Sequence, residues 1–230
     1  MLRRDLLAAV AAGLAAPGLA FAPSLAFADN PQRIPLNRAF RYLDAYLGLP
    51  PPLRSRFYLV FRALRNERPC PDLSAAIVAP NGARTPLALD AHAQVVRLPT
   101  LGELKSNAVL EVPPGGAFRF ATEIRPDVPP STQIDVPSLD SALGQANVAI
   151  ARLAGPFGLV TPKLDRILFP DAGSGQALLA NGRTAPLPMT AAVRALGVVP
   201  YYEPSAFPGA KVLALARTPS RILFAREPKS

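Results

Sequence analysis

Acid–base and nucleophilic chemistry have few residues to work with in this chain. The one histidine, His92, stands in Leu89-Asp90-Ala91-His92-Ala93-Gln94, and a carboxylate two residues away can orient an imidazole for use as a general base. The same run reads equally as a turn between two strands carrying an exposed histidine. Ser174, in Gly173-Ser174-Gly175, lacks the full Gly-x-Ser-x-Gly elbow and the strand-to-helix context that exposes a nucleophilic serine, and reads as a hairpin tip. Cys70 is the only cysteine and lies between Pro69 and Pro71; it reads as a quiet, part-buried thiol, and no intramolecular disulfide can form.

Metal and cofactor chemistry find no better footing. One His and one Cys in separate segments do not supply the nitrogen and sulfur ligands of zinc or copper centres. Asp165 and Asp171 are close in sequence but lack the regular spacing of a calcium loop. Neither a Walker loop nor a dinucleotide glycine fingerprint is present. The expectation is therefore no catalytic residue, no metal and no cofactor. Two carboxylates joined only by the fold leave no spacing to read, so an exported hydrolase using carboxylates, or Asp90 with His92, stays open as the alternative.

The residues that do accumulate are arginines. Arg33, Arg38, Arg41, Arg54, Arg56, Arg62, Arg65 and Arg68 face only Asp44 and Glu67 in the same stretch. If the helix before Gly48 packs beside the strand after Ser55, several guanidinium groups would share a face able to grip phosphate or carboxylate in bidentate fashion. Arg38, Arg41, Arg54, Arg56 and Arg62 are the candidate anion-binding set; an ordinary solvated face is the competing reading.

The segment Met1 to Ala28 gives these arginines a compartment. Arg3-Arg4 open it, an Ala- and Leu-rich run follows to Ala20, and Ala26-Phe27-Ala28 precede Asp29. That is the order of a removable export signal with cleavage after Ala28. Gly13, Pro17, Gly18 and Pro23 interrupt the run, which falls short of the roughly 20 apolar residues that span a bilayer. The paired arginines resemble a twin-arginine signal, with ordinary secretion equally compatible. The whole chain carries +9, and loss of the signal leaves about +8. An exported cation of this kind attracts anionic envelope components rather than nucleic acid, and no membrane span remains after cleavage.

The positioning elements follow from periodicity. Leu36, Phe40, Leu43 and Leu47 predict one amphipathic helix ending at Gly48. Arg56 to Leu64 predicts a strand. Short strands are predicted over Ser74–Ala79, Leu87–Leu89, Gln94–Leu98, Ala108–Val112 and Ala117–Ile124, with Asn81-Gly82 as a hairpin turn. Four prolines mark Arg125 to Pro137 as a linker. Ser138 then caps a helix with Leu139, Leu143, Ala146, Ile150 and Leu153 as its apolar stripe, stopped at Gly155-Pro156. Beyond it, strands are predicted over Lys163–Phe169, Gln176–Ala180, Ala185–Leu187, Lys211–Ala216 and Arg221–Ala225, with a short helix at Thr190–Leu196. Ala76 to Leu87 echoes Ala177 to Leu187, and Arg166-Ile167-Leu168-Phe169 echoes Arg221-Ile222-Leu223-Phe224. Duplication of a β-unit and convergent turn chemistry both produce such echoes.

Tyr42-Leu43-Asp44-Ala45-Tyr46-Leu47, Arg54-Ser55-Arg56-Phe57, Thr85-Pro86-Leu87 and Arg97-Leu98-Pro99 together resemble uncharacterised exported bacterial proteins grouped as a domain of unknown function. The resemblance implies a β-rich envelope protein and carries over no catalytic residue. The fold class expected is α+β, mainly β: two small antiparallel sandwich-like units, 29–130 and 131–230, each preceded by an amphipathic helix. The function expected is a non-catalytic binding or structural module of the envelope, its partner an anionic envelope component or another protein. An exposed patch at Phe57, Leu59 and Phe61 would favour the protein partner.

Overall fold

Strand Phe57–Arg65 (β2) organises the first half, because its side chains alternate as the sequence alternates. Phe57, Leu59, Phe61 and Ala63 are buried, while Tyr58, Val60 and Arg62 face the other way. The computed structural model describes residues 30–154, 163–190 and 196–226; the export segment, the stop at Gly155-Pro156 and most of the helix expected at Thr190–Leu196 lie outside them. Along its whole length β2 pairs antiparallel with β7 (Phe118–Pro126), from Phe57 opposite Pro126 to Arg65 opposite Phe118. The fold is α+β and mainly β.

Four-stranded sheets flank this ladder. β1 (Gln32–Pro35), β4 (Ala76–Val78), β5 (Arg84–Pro86) and β6 (Val109–Val112) form one, in the order β1-β6-β4-β5. β8 (Gln133–Asp135), β10 (Gly175–Leu179), β11 (Thr184–Pro186) and β13 (Ala210–Leu215) form the other, in the order β8-β13-β10-β11. The two orders are the same when each sheet is read from its first strand. Ile34 opposite Leu110 and Ile77 opposite Leu110 in the first become Ile134 opposite Leu213 and Ala177 opposite Leu213 in the second.

The hairpins match to the hydrogen bond. Ala79 N–H donates to Ala83 O, Gly82 N–H to Ala79 O, and Leu87 N–H to Ala75 O; Leu179, Gly182 and Leu187 repeat the three with Arg183, Leu179 and Gly175. Asn81 and Asn181 each accept a backbone N–H two residues on, at 3.0 Å. Gly82 and Gly182 have φ of 84° and 77°. The turns therefore are three-residue loops, Pro80-Asn81-Gly82 and Ala180-Asn181-Gly182, closed by a glycine in the left-handed region rather than two-residue Asn-Gly turns. Beyond them, Val96 N–H donates to Ala88 O as Tyr201 N–H does to Pro188 O, both at 3.0 Å. The two halves repeat one plan.

Three-stranded sheets complete it. β3 (Arg68–Pro69), β2 and β7 form one; β12 (Tyr201–Tyr202), β9 (Arg166–Leu168) and β14 (Leu223–Ala225) form the other. The Arg-Ile-Leu-Phe echo falls on β9 and β14, which pair antiparallel with Ile167 opposite Phe224 and Leu168 opposite Leu223. β14 also packs against β7 without sharing its ladder, so the halves meet there.

Helices differ from expectation in detail. The first amphipathic face is kept, with Leu36, Phe40 and Leu43 buried, but Tyr42 at φ 69° breaks it into α1 (Leu36–Ala39) and α2 (Leu43–Gly48). α3 (Leu101–Lys105) has no apolar periodicity to signal it; Thr100 and Glu103 form a reciprocal capping box at its start. α4 (Val136–Leu153) starts earlier than expected, capped by Asp135, which accepts from Ser138 N–H. Its buried stripe is Val136, Leu139, Ala142, Leu143, Ala146 and Ala149, while Leu153 is exposed. The segment expected to be a linker keeps an irregular stretch over 127–132, between the end of β7 and β8, and its last two residues begin the helix that follows. α4 packs on β2, β7, β8 and β13, bridging the halves. One continuous core holds Phe40, Phe61 and Leu110 with Ile134, Leu139, Ile167 and Leu213.

Candidate functional site

The expected anion-binding set is not gathered at one place. Arg38 and Arg41 are exposed, and Arg41 lies over the Tyr42 ring. Arg54 donates to Leu49 O at 3.2 Å and stacks on Tyr46. Arg56 is exposed, its backbone N–H held by Gln145 Oε1 at 2.7 Å. Arg33 belongs to a separate pairing, sharing Glu111 with Arg84, and Arg65 donates to the carbonyls of Pro113 and Pro114. Phe57, Leu59 and Phe61 are core residues, 5%, 7% and 0% exposed, so they form no exposed patch that would favour a protein partner; Phe40, at the end of α1, and Tyr46 of α2 pack on Phe61 and Phe57.

Arg62 leads elsewhere. On the face of the β2–β7 ladder opposite the core, Val60 stands opposite Glu123 and Tyr58 opposite Arg125. Period-two alternation therefore puts Arg62, Glu123 and Arg125 on one face. Arg125 Nε donates to Glu123 Oε2 at 2.9 Å, and its Nη2 bonds the same oxygen. Arg62 Nη2 lies 3.5 Å from Glu123 Oε1, and Arg221 Nε reaches that oxygen, also at 3.5 Å, from just before β14. The three arginine side chains are 15%, 11% and 16% exposed, and that of Glu123 is 15%.

Three guanidinium groups thus surround one carboxylate at the junction of the halves. Buried charge is costly unless paired and fully hydrogen-bonded. Here, among the described residues, Arg62 Nε and Arg221 Nε are buried and make no hydrogen bond. Burial and then the neighbouring Arg62 and Arg125 charges pull the Arg221 pKa down, against Glu123 and the more distant Asp171, which raise it. The cluster has donors to spare and a local positive excess.

It opens on a cavity of about 1060 Å³ whose lining mixes charged residues, among them Arg62, Glu67, Arg68, Arg119, Glu123 and Arg221, with apolar ones, among them Leu168, Leu196, Leu223 and Ala225. Arg119 is paired with Glu67 at the rim. Other clefts have different chemistry. One of about 650 Å³ sets Arg56 against Asp127 and Asp135. Another of about 440 Å³, between α2, α4 and β2, is lined by Tyr42, Tyr46, Leu49, Phe57, Ile150 and Leu153 among others. Neither carries a cationic excess.

The residues considered for catalysis lie in turns. Asp90 Oδ1 accepts the backbone N–H of His92 and of Gln94, both at 2.8 Å, so this carboxylate folds the turn while His92 is exposed. Ser174 is exposed beside Gly173, whose φ is 78°. Burial raises the Cys70 thiol pKa, with Arg65 opposing. Among the described residues no group of three His, Cys, Asp or Glu side chains is arranged to hold a metal, and no helix is long and apolar enough to cross a membrane. Arg62 belongs to the set expected from sequence, whereas Arg125 and Arg221 do not. The usable signal was Arg119, Ala121, Glu123 and Arg125 at every second position of a strand.

No family model, curated protein or solved structure matches the chain.

Proposed function

We propose that the protein is an exported, non-catalytic binding module of the cell envelope, and that its ligand is an anion held by Arg62 and Arg221, with Arg125 holding Glu123 between them. The observation that carries this reading is the ratio at the junction of the halves: three mostly buried guanidinium groups contact one carboxylate, and among the described residues the Nε–H groups of Arg62 and Arg221 make no hydrogen bond. A phosphate or carboxylate entering the cavity would meet the Arg62 and Arg221 side chains that line it and offset the remaining charge. Glu123 is already engaged by all three arginines, which suits it to setting their orientation rather than to moving protons. Export, read from residues 1–28, makes the anion an envelope component.

Calorimetric titration of the mature chain, from Asp29, with inorganic phosphate and with acetate tests the reading. Saturable binding is expected, weakened about tenfold or more by Arg62→Gln or Arg221→Gln, the loss that follows removal of one charge-assisted hydrogen bond. Binding unchanged in both variants, or abolished instead by Arg38→Gln and Arg41→Gln, would overturn it.

A further inference from the structure

We infer that the ligand is an amphiphile, with one anionic head at Arg62 and Arg221 and an apolar body against the apolar lining of the same cavity. This rests on the anion reading above and adds the second half of the molecule. Part of that lining stands apart from the main core. Leu168, Val199 and Leu223 form a separate small apolar cluster, with Leu196, Tyr201 and Ala225 packed on it. Leu168, Leu196, Leu223 and Ala225 line the same cavity as the arginines. Apolar surface left facing a cavity gains free energy in proportion to the area a ligand covers.

Two features exclude a polymeric anion as the fitting occupant. A polyanion needs an open row of cations, whereas Arg62, Arg125 and Arg221 converge on a single point with side chains 11% to 16% exposed. The cavity, at about 1060 Å³, matches the upper end of the roughly 300–1,000 Å³ of small-molecule sites, enough for a head and a chain together. The shared chemistry is a carboxylate or phosphate head on an alkyl chain, whether free in solution or as an anionic lipid in a bilayer.

The test is a chain-length series: acetate, butanoate, hexanoate, octanoate and decanoate, each kept below its micelle concentration, titrated into the mature protein and its Arg62→Gln and Leu196→Ala variants. The affinity is expected to rise by up to about fourfold per methylene, the value of one buried CH₂. Arg62→Gln should lower every member of the series, and Leu196→Ala should shallow the slope with chain length. Acetate binding with no dependence on chain length would overturn the amphiphile and leave the anion site standing. Failure of both acetate and decanoate to bind would overturn both. Competition by vesicles of anionic phospholipid distinguishes the sources: displacement of decanoate by vesicles supports a bilayer lipid head, and decanoate binding indifferent to vesicles supports a free amphiphile. Leu196 is half-buried, and a melting temperature within a few degrees of wild type establishes that each variant is folded.

Discussion

At the scale of single residues, Glu123 and its arginines should respond to substitution with opposite signs. Glu123→Gln leaves three mostly buried guanidinium groups without their carboxylate, and breaking a buried pair in this way costs about 3–5 kcal/mol. Arg221→Met keeps much of the side-chain volume and brings the local charge closer to balance, so stability should stay level or rise by about 1 kcal/mol. Urea unfolding of the two variants checks the contrast; an Arg221→Met loss as large as that of Glu123→Gln would mean that Arg221 is structural. Phosphate should recover part of the Glu123→Gln loss, because a bound anion stabilises the folded state by mass action.

Two other carboxylates are held low by the groups that hydrogen-bond to them. Hydrogen bonding to Arg84 first, and to Arg33, holds Glu111 below the usual carboxylate range against desolvation. Arg97 first, and then Thr100, do the same for Glu103. A carboxylate with a folded pKa below its unfolded one stabilises the fold fully above the unfolded value, about 4.3, and loses that contribution as pH falls through the folded value. Melting temperature should therefore fall on acidification through this window. Glu111→Gln should lower it at neutral pH and flatten the acid slope; a slope unchanged by Glu111→Gln would contradict the role given to the Arg33–Glu111–Arg84 cluster.

At the scale of elements, the β2–β7 ladder carries both the core and the site on its two faces. Phe61 is fully buried, with Phe40 at 5.1 Å and Phe120 at 6.3 Å between ring centroids. Phe61→Ala should cost about 3–5 kcal/mol and loosen the opposite face with it. The repeated hairpins make a paired prediction. Gly82 and Gly182 occupy the same left-handed position of equivalent turns, each with open space where a Cβ would stand, so an alanine at either meets backbone strain rather than a clash. Each substitution should cost roughly 1 kcal/mol, and the two losses should agree; a cost at only one of them would break the equivalence of the turns.

The same elements explain what could be read without coordinates. β2, both hairpins and α4 were legible because each has a single strong period or a turn residue with a fixed conformation. β1 and β8 were not, since Gln32-Arg33-Ile34-Pro35 and Gln133-Ile134-Asp135 are short strands of mixed character whose pairing is supplied by β6 and β13. Arg125 was hidden by the prolines that follow it, although β7 runs through to Pro126. The Arg-Ile-Leu-Phe echo marked Arg221 only as the start of a strand, because its partner Glu123 is distant in sequence and is met only where β14 packs on β7. Echoes between the hairpins were legible as sequence, and their common strand order became visible only in the sheets.

At the scale of the whole molecule, repetition of one plan creates a junction that neither half has alone. The arginines come from both halves, Arg62 and Arg125 from the first and Arg221 from the second, and the apolar lining draws on both, with Leu168, Leu196, Leu223 and Ala225 from the second. The shared core and bridging α4 fix the halves against each other, which keeps the cluster assembled without a ligand. Diffraction from crystals soaked in selenate is the most direct test of the central claim. An anomalous peak is predicted in the cavity, within hydrogen-bonding reach of Arg62 and Arg221. Peaks confined to exposed arginines such as Arg38 and Arg41, with none in the cavity, would contradict it.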